Sequence, residues 1–343
     1  MTSVRVDLFS DTQTRPSEEM RAAMASAEVG DEQMGEDPTV NELQDVVAEL
    51  FDQEAALFLP SGTMCNQIAF SVHCRAGDEI LMHRSAHPLN FEAGGPAALV
   101  GALITPLEGD RGMFTAEGLR AAIRYQDRHS PRTRVVSVEQ TTNMGGGACW
   151  PLEQIDAVRA VADEAGLAKH MDGARLMNAV VATGVPAKDY AARFDSSWLD
   201  LSKGLGCPVG GVLVGSRAFI DEAWHFKQML GGAMRQAGII AAAGVYGLRH
   251  NVDRLADDHR NARRLAEGLA ELDGISTDPA VVETNIVFFE VDDAARFNER
   301  MTEEHGVRFS QLGERLLRAV THLDVSGEGI EHAISAARKV LTS

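Results

Sequence analysis

Cysteine is scarce in this chain. Cys65, Cys74, Cys149 and Cys207 are spread over 343 positions. They are too few for a disulfide scaffold, and no C-x-x-C pair suggests a zinc site, so no metal is expected. A reduced, cytoplasmic compartment fits that usage. Basic excess is also missing: 32 Lys and Arg stand against 50 Asp and Glu, a net charge of -18. A face for nucleic-acid phosphates needs positive charge, so nucleic acid is not expected as a partner; the acidic balance serves solubility. No apolar run is long enough to span a bilayer. The most apolar one, Gly238 to Leu248, reads as a buried helix, so no membrane is expected. The opening Met-Thr-Ser-Val-Arg-Val-Asp-Leu-Phe-Ser holds no signal-peptide stretch. Internal repeats and low-complexity linkers are absent.

What is present is an ordinary soluble composition, 45% apolar and 24% charged, in a chain long enough for a large domain with a smaller partner. Helical and strand patterns alternate, which predicts an α/β domain around a mainly parallel sheet. Strand patterns fall at Ala55–Leu59, Glu79–Met82, Leu99–Ile104, Thr133–Glu139, Leu167–Asp172, Ser197–Leu201 and Gly210–Gly215. Helical spacing covers Asn41–Phe51, a stretch from Asn66, and Pro151–Gly166. From about Ile240 the pattern shifts. One long helix is expected over Gly247–Leu272, then strand over Ala280–Phe289, helix over Ala294–Glu304, strand over Leu316–His322 and helix over Ile330–Leu341. That order predicts a small C-terminal α+β domain. The divisions expected are an irregular N-terminal arm at 1–20, a large domain at 21–248 and a small domain at 249–343.

Two strand ends carry the chemistry. His170-Met-Asp172 and Leu201-Ser-Lys203 deliver a carboxylate and a primary amine to one rim, where ligands of open α/β sheets bind. That pair suits pyridoxal 5'-phosphate (PLP): Lys203 condenses with the aldehyde, and Asp172 keeps the pyridine nitrogen protonated. Singly, each has an ordinary reading, a helix cap for Asp172 and a solvated loop lysine for Lys203. Ser61-Gly62-Thr63 lies between strand and helix, where free N–H groups hold a phosphate; simple capping is the plain alternative. His87 is either a base and ring-stacking partner or a satisfied loop histidine. Arg235, among glycines, suits phosphate. Arg175 and Arg318 each have the fork for a substrate carboxylate.

These pieces stand in an order that resembles a known family. Ser10-Asp-Thr-Gln-Thr-Arg-Pro16, Gly35-Glu-Asp-Pro-Thr-Val-Asn41, Leu59-Pro-Ser-Gly-Thr63, His87 with Phe91-Glu-Ala-Gly-Gly95, His170-Met-Asp-Gly-Ala-Arg175, Leu201-Ser-Lys-Gly-Leu-Gly206, Met234-Arg-Gln236 and Val320-Thr-His-Leu-Asp-Val325 are similar to motifs of the low-specificity L-threonine aldolases. The resemblance runs from about residue 7 to the C-terminus. It implies PLP fold type I, the aspartate aminotransferase-like α/β architecture. It implies Lys203, His87 and Asp172 as catalytic residues. Ser61, Gly62, Thr63, Arg175 and Arg235 join them around the cofactor, with Arg235 reaching from a neighbouring subunit. Ser10, Arg175, Arg318 and Thr142 are implied at the substrate. A homodimer or homotetramer with interface sites is implied too. The implied reaction is cleavage of L-threonine, L-allo-threonine or related L-3-hydroxy amino acids to glycine and an aldehyde. The rival readings are another PLP lyase, eliminating a β-substituent, and a non-catalytic PLP-binding protein. Two positions depart from the pattern. Thr142 stands where many relatives have a histidine after Glu-Asn-Thr, and Met34 where many have a tyrosine. Both bear on the substrate end.

Overall fold

A computed structural model of the chain describes residues 4–125 and 127–342. Eleven strands occur among them: β1 (Val6–Leu8), β2 (Ala55–Leu59), β3 (Asp78–His83), β4 (Leu103–Leu107), β5 (Arg132–Glu139), β6 (Ala168–Asp172), β7 (Ser196–Asp200), β8 (Gly211–Gly215), β9 (Ile286–Glu290), β10 (Val307–Gln311) and β11 (Leu316–Val320). Residues 1–3 of the expected arm lie outside the described residues.

Seven strands form the larger sheet, in the order β2-β8-β7-β6-β5-β3-β4. The β7-β6-β5-β3-β4 run is parallel, and β8 runs antiparallel between β7 and β2. Every residue of β3, β7 and β8 is buried. Burial on both faces is what near-continuous apolar strands between helical layers require. The sheet's main core joins Leu81, Val136, Val138, Met171 and Leu199 to helix residues such as Leu43, Val47, Ile155 and Val158. The second sheet, β1-β10-β11-β9, packs with the last helices around Phe289, Phe297 and Phe309. No helix among the described residues is long and apolar enough to cross a membrane.

Several local expectations differ from what forms. Residues Pro96–Val100 wind as a wide helical turn that ends on Gly101 at φ 72°, so the strand expected from Leu99 starts at Leu103. Pro96 opens that turn and Gly101 takes the left-handed backbone that closes it. The long helix expected from Gly247 is two helices, Gly238–His250 and Leu255–Ala270. The break falls where the Asn251 amide turns away to donate to Leu205 O at 2.8 Å. The strand expected from Ala280 begins at Ile286, because Pro279–Val281 is a tight turn and Thr284 and Asn285 spend their side chains on Gly147 O and Asp11. Strand β10 had no counterpart in the expectations. The N-terminal segment is not wholly irregular: β1 pairs parallel with β10, and Val6 and Leu8 are buried in the smaller sheet's core.

These details converge on one rim. Gly247 lies against the Leu205 backbone, within 3.0 Å of where a Cβ would stand. The Gly238–His250 helix therefore supports the loop that carries Lys203. From the other side the Thr14 hydroxyl donates to Lys203 O at 2.9 Å.

Candidate active site

Asp172 ends β6 and is buried. The turn after it needs glycine, because a Cβ on Gly173 would stand 1.9 Å from Trp198 O. The Asp172 carboxylate accepts from Ala174 N at 3.0 Å and from Asn66 Nδ2 at 2.8 Å. Burial raises its pKa against the pull of the His87 and Lys203 charges and the Asn66 hydrogen bond. Glu139 ends the adjacent strand directly opposite Asp172. Burial, then the charge on Asp172, pushes Glu139 up to about 7. With the Asn66 and Ala174 donors on Asp172 and, among the described residues, the Asn143 N–H at 3.2 Å alone on Glu139, the negative charge of the pair belongs on Asp172.

Lys203 lies three residues beyond β7. Its ammonium pairs with Asp200 at 3.0 Å and stands 5.8 Å from the Trp198 ring centre. Strand β7 pairs parallel with β6 and the Lys203 charge acts on Asp172, so the two strand ends bring an amine and a carboxylate to one rim. His87 opens a short helical turn, and its Nδ1 meets Glu92 Oε1 at 2.9 Å. The Glu92 side chain is fully buried, and it also accepts from Asn66 Nδ2 at 2.8 Å and from Gln67 Nε2. Burial disfavours protonation of His87, but the Glu92 hydrogen bond and the Asp172 charge outweigh it and raise its pKa.

Ser61, extended at φ -156°, caps the helix Gly62–His73 by accepting from Met64 N at 3.2 Å. The N–H groups of Gly62 and Thr63 fall in the first turn, ahead of any i→i-4 partner, and are free for an anion. Position 62 admits only glycine: a Cβ there would stand 2.1 Å from the Trp198 ring.

Two arginines lie beneath the N-terminal segment. Arg175 gives Nε and one terminal nitrogen to Asp11, both at 2.7 Å, and Asn285 Nδ2 adds a third bond to the same carboxylate at 3.1 Å. Burial would raise Asp11, yet Arg175 and Lys203 hold it well below the carboxylate range. One edge of the Arg175 fork is thereby spent. Arg318 is different. Its NH1 donates to Asn143 Oδ1 at 2.8 Å, while its Nε is buried with no partner among the described residues. Burial, then the Arg175 charge, brings its pKa down to about 10. A desolvated guanidinium short of an acceptor is a site for a carboxylate. Ser10 caps the turn at Asp11–Gln13, accepting from Thr12 N at 3.2 Å.

Two of the expected site residues stand apart from this cluster within the chain. The Thr142 hydroxyl does not face this rim. Its side chain is fully buried beneath Gly112 and Gly145, with Oγ1 3.5 Å from Ala148 O, because residues 142–148 close a turn on themselves. Its neighbour Asn143, bound to Arg318 and Glu139, faces the site instead. Arg235 is exposed and pairs with Asp31 at 2.7 Å, apart from the cluster around Lys203. The sequence reading passed over Asn66, Glu92, Asp11, Glu139, Asn143 and Asp200. Adjacent buried Asn66 and Gln67 inside an otherwise apolar helix were the available signal for the first.

The residues fit PLP on three counts: the Lys203 amine whose charge acts on buried Asp172, the helix N-terminus at Gly62 and Thr63 for a phosphate, and the Arg318 Nε, without a partner among the described residues, for an amino-acid carboxylate. Solved structures share the architecture. The Leishmania major threonine aldolase matches with a TM-score of 0.84 at 18% identity, over 98% of this chain and 99% of that one. The Sphingomonas wittichii serine palmitoyltransferase matches with a TM-score of 0.78 at 18% identity, over 99% and 91%. The class is thus PLP fold type I, an α/β fold with a mostly parallel seven-stranded sheet.

Relatives narrow the class. The low specificity L-threonine aldolase of Escherichia coli (strain K12) is 42% identical over 98% of this chain and 99% of its own length. The probable low-specificity L-threonine aldolase 2 of Arabidopsis thaliana is 40% identical over 100% and 99%. The chain belongs to the beta-eliminating lyase family, whose model matches residues 7–294, and within it to the low-specificity L-threonine aldolases.

Proposed function

We propose that this chain holds PLP on Lys203 and cleaves L-3-hydroxy amino acids, L-threonine and L-allo-threonine among them, to glycine and an aldehyde. The observation that carries the reading is a Lys203 amine whose charge acts on buried Asp172, beside a His87–Glu92 pair and an Arg318 whose Nε has no acceptor among the described residues. When bound, the cofactor supplies an electron sink for the pair released as the Cα–Cβ bond breaks. Asp172 holds the proton on the ring nitrogen, its charge kept in place by Asn66 and the Ala174 N–H. Gly62 and Thr63 N–H groups and the Ser61 and Thr63 hydroxyls take the phosphate. Arg318, the free edge of Arg175 and Ser10 receive the substrate carboxylate. His87 commits Nδ1–H to Glu92, which leaves the Nε2 lone pair to take the β-hydroxyl proton, directly or through one water. Thr142, turned inward, does not compete for that proton.

The assembly belongs to the same reading. The loop at 29–36 and the segment 229–239 are joined through Glu32 N to Arg235 O at 3.0 Å. These segments carry the exposed apolar residues Val29, Met34, Met229 and Ile239, and the Arg235 side chain is exposed too. Exposed apolar side chains on segments that also carry an exposed arginine suit contact with a second copy, into whose site Arg235 reaches for the phosphate. The protein is a homodimer or homotetramer in the cytoplasm, built from an N-terminal arm at 1–20, a large domain at 21–248 and a small domain at 249–343.

Borohydride reduction followed by peptide mapping tests the cofactor claim. The expected result is one peptide carrying the reduced cofactor on Lys203, lost in Lys203→Ala. Labelling on another lysine, or none, contradicts it.

A further inference from the structure

Behind the site runs a row of polar groups of which the proposed chemistry uses only the first, Asn66, on Asp172. Asn66 is its hub and is fully buried. Its amide makes four hydrogen bonds. Nδ2 donates to Asp172 Oδ2 and to Glu92 Oε1, each at 2.8 Å. Oδ1 faces Trp198 Nε1 at 2.8 Å and His170 Nε2 at 3.0 Å. An indole nitrogen can only donate, so the chemistry itself fixes which end of the amide is oxygen.

The direction of the remaining bonds follows. Facing an amide oxygen, His170 Nε2 carries its proton. Burial keeps His170 neutral, with its pKa near 3, so Nδ1 is bare and accepts from the Ser196 hydroxyl at 2.8 Å. The same Ser196 oxygen then accepts from His73 Nε2 at 2.8 Å. The His73 ring is held flat against Phe219, with centres 5.0 Å apart. Each member donates toward the next, and the row ends on two carboxylates. One is Asp172; the other, Glu92, orients His87.

We infer that Asn66 is a positioning residue that sets Asp172 and, through Glu92, His87 with a single amide, and that His170, Ser196 and His73 lock the direction of that amide. The inference rests on the cofactor reading above. Its physical content is that two carboxylates on different elements, the end of β6 and the loop after His87, share one donor. Loss of that donor disturbs the partner of the ring nitrogen and the orientation of the base together. A buried network with every bond directed is also costly to interrupt at a distance.

Three variants test it, each assayed as apoprotein for PLP affinity, for the visible absorption spectrum of the loaded form and for thermal unfolding. Asn66→Asp keeps the shape but removes both hydrogens. It is expected to weaken PLP binding by about tenfold or more, the scale of lost hydrogen bonds to charged groups, and to shift the visible band. Ser196→Ala breaks the row two bonds behind Asn66, away from the cofactor. It is expected to change affinity in the same direction by about two- to threefold. Asp172→Asn is the control. If Asp172→Asn weakens PLP and shifts the band while the folded Asn66 and Ser196 variants match wild type in both, the inference is overturned and those residues only fill the core. If Asp172→Asn itself binds with wild-type affinity and spectrum, the cofactor reading falls, and this inference with it. Should Asn66→Asp not fold, Ser196→Ala decides alone: a lowered melting point with unchanged affinity and spectrum overturns the inference, and a weakened affinity upholds it.

Discussion

His87 has one nitrogen committed and one free, and the commitment is made by Glu92. A buried carboxylate on Nδ1 both fixes the tautomer and stabilises the charged ring, so His87 titrates above its ordinary range. In the proposed reaction His87 works as a base and must be neutral, so the acid limb of kcat/KM lies above the ordinary histidine value. Glu92→Gln removes the charge that raises it. The expected outcome is a fall in kcat of about 10- to 100-fold, the scale of an oriented general base, with the acid limb moved to lower pH. A pH–rate profile checks both. At this scale the sequence was partly legible. Lys203, Asp172 and His87 stand in motifs whose residue types announce their chemistry. Glu92 and Asn66 do not, because a buried carboxylate or amide inside an apolar run looks like an exposed polar position until the fold closes over it. The setting of Thr142 is hidden for a related reason: its place in the motif says nothing of the way residues 142–148 turn the side chain inward.

Between elements, one buried ion pair ties four segments together. Lys227, fully buried on the helix Arg217–Met229, pairs with Glu32 and also donates to Phe58 O in β2 at 2.8 Å. Its ammonium lies 4.6 Å from the Trp224 ring centre. The other Glu32 oxygen accepts from Met234 N at 2.8 Å, beside Arg235. The pair thus fixes the proposed interface loop to the strand that leads into Ser61. Removing one partner leaves the other charge buried and unmatched, at a cost of about 3–5 kcal/mol. Lys227→Met is expected to lose stability on that scale in urea unfolding. The double variant Lys227→Met with Glu32→Gln is expected to recover a substantial part. A single variant within about 1 kcal/mol of wild type, inside the range of an exposed pair, contradicts the argument. Element positions around the larger sheet were readable because apolar runs bounded by turn residues have few alternatives. The breaks were not. Asn251 ends a helix through a bond to Leu205, and Thr284 and Asn285 shorten β9 through bonds to distant loops. Strand β1 needs a partner, β10, that lies 300 residues further on. Long-range pairing of that kind leaves no local pattern.

As a whole, the molecule sets two sheets side by side and threads its own N-terminal segment between them. The segment enters as β1 of the smaller sheet, turns at Ser10–Thr14, gives Asp11 to Arg175 and reaches the backbone of Lys203. Arg318 arrives from the smaller sheet and meets Asn143 beyond the end of β5. The proposed site therefore draws on both sheets and on the chain's start. The alternation of helix and strand foretold the mostly parallel α/β sheet. It did not foretell the reversed β8 or the place of β1, which depend on pairings between distant segments. Retro-aldol cleavage at Lys203 is tested by product analysis after PLP-loaded protein is incubated with L-threonine and, separately, L-allo-threonine. Glycine and acetaldehyde are expected in equal amounts, from wild type and not from Lys203→Ala. Ammonia with a keto acid, or equal turnover by Lys203→Ala, would contradict it.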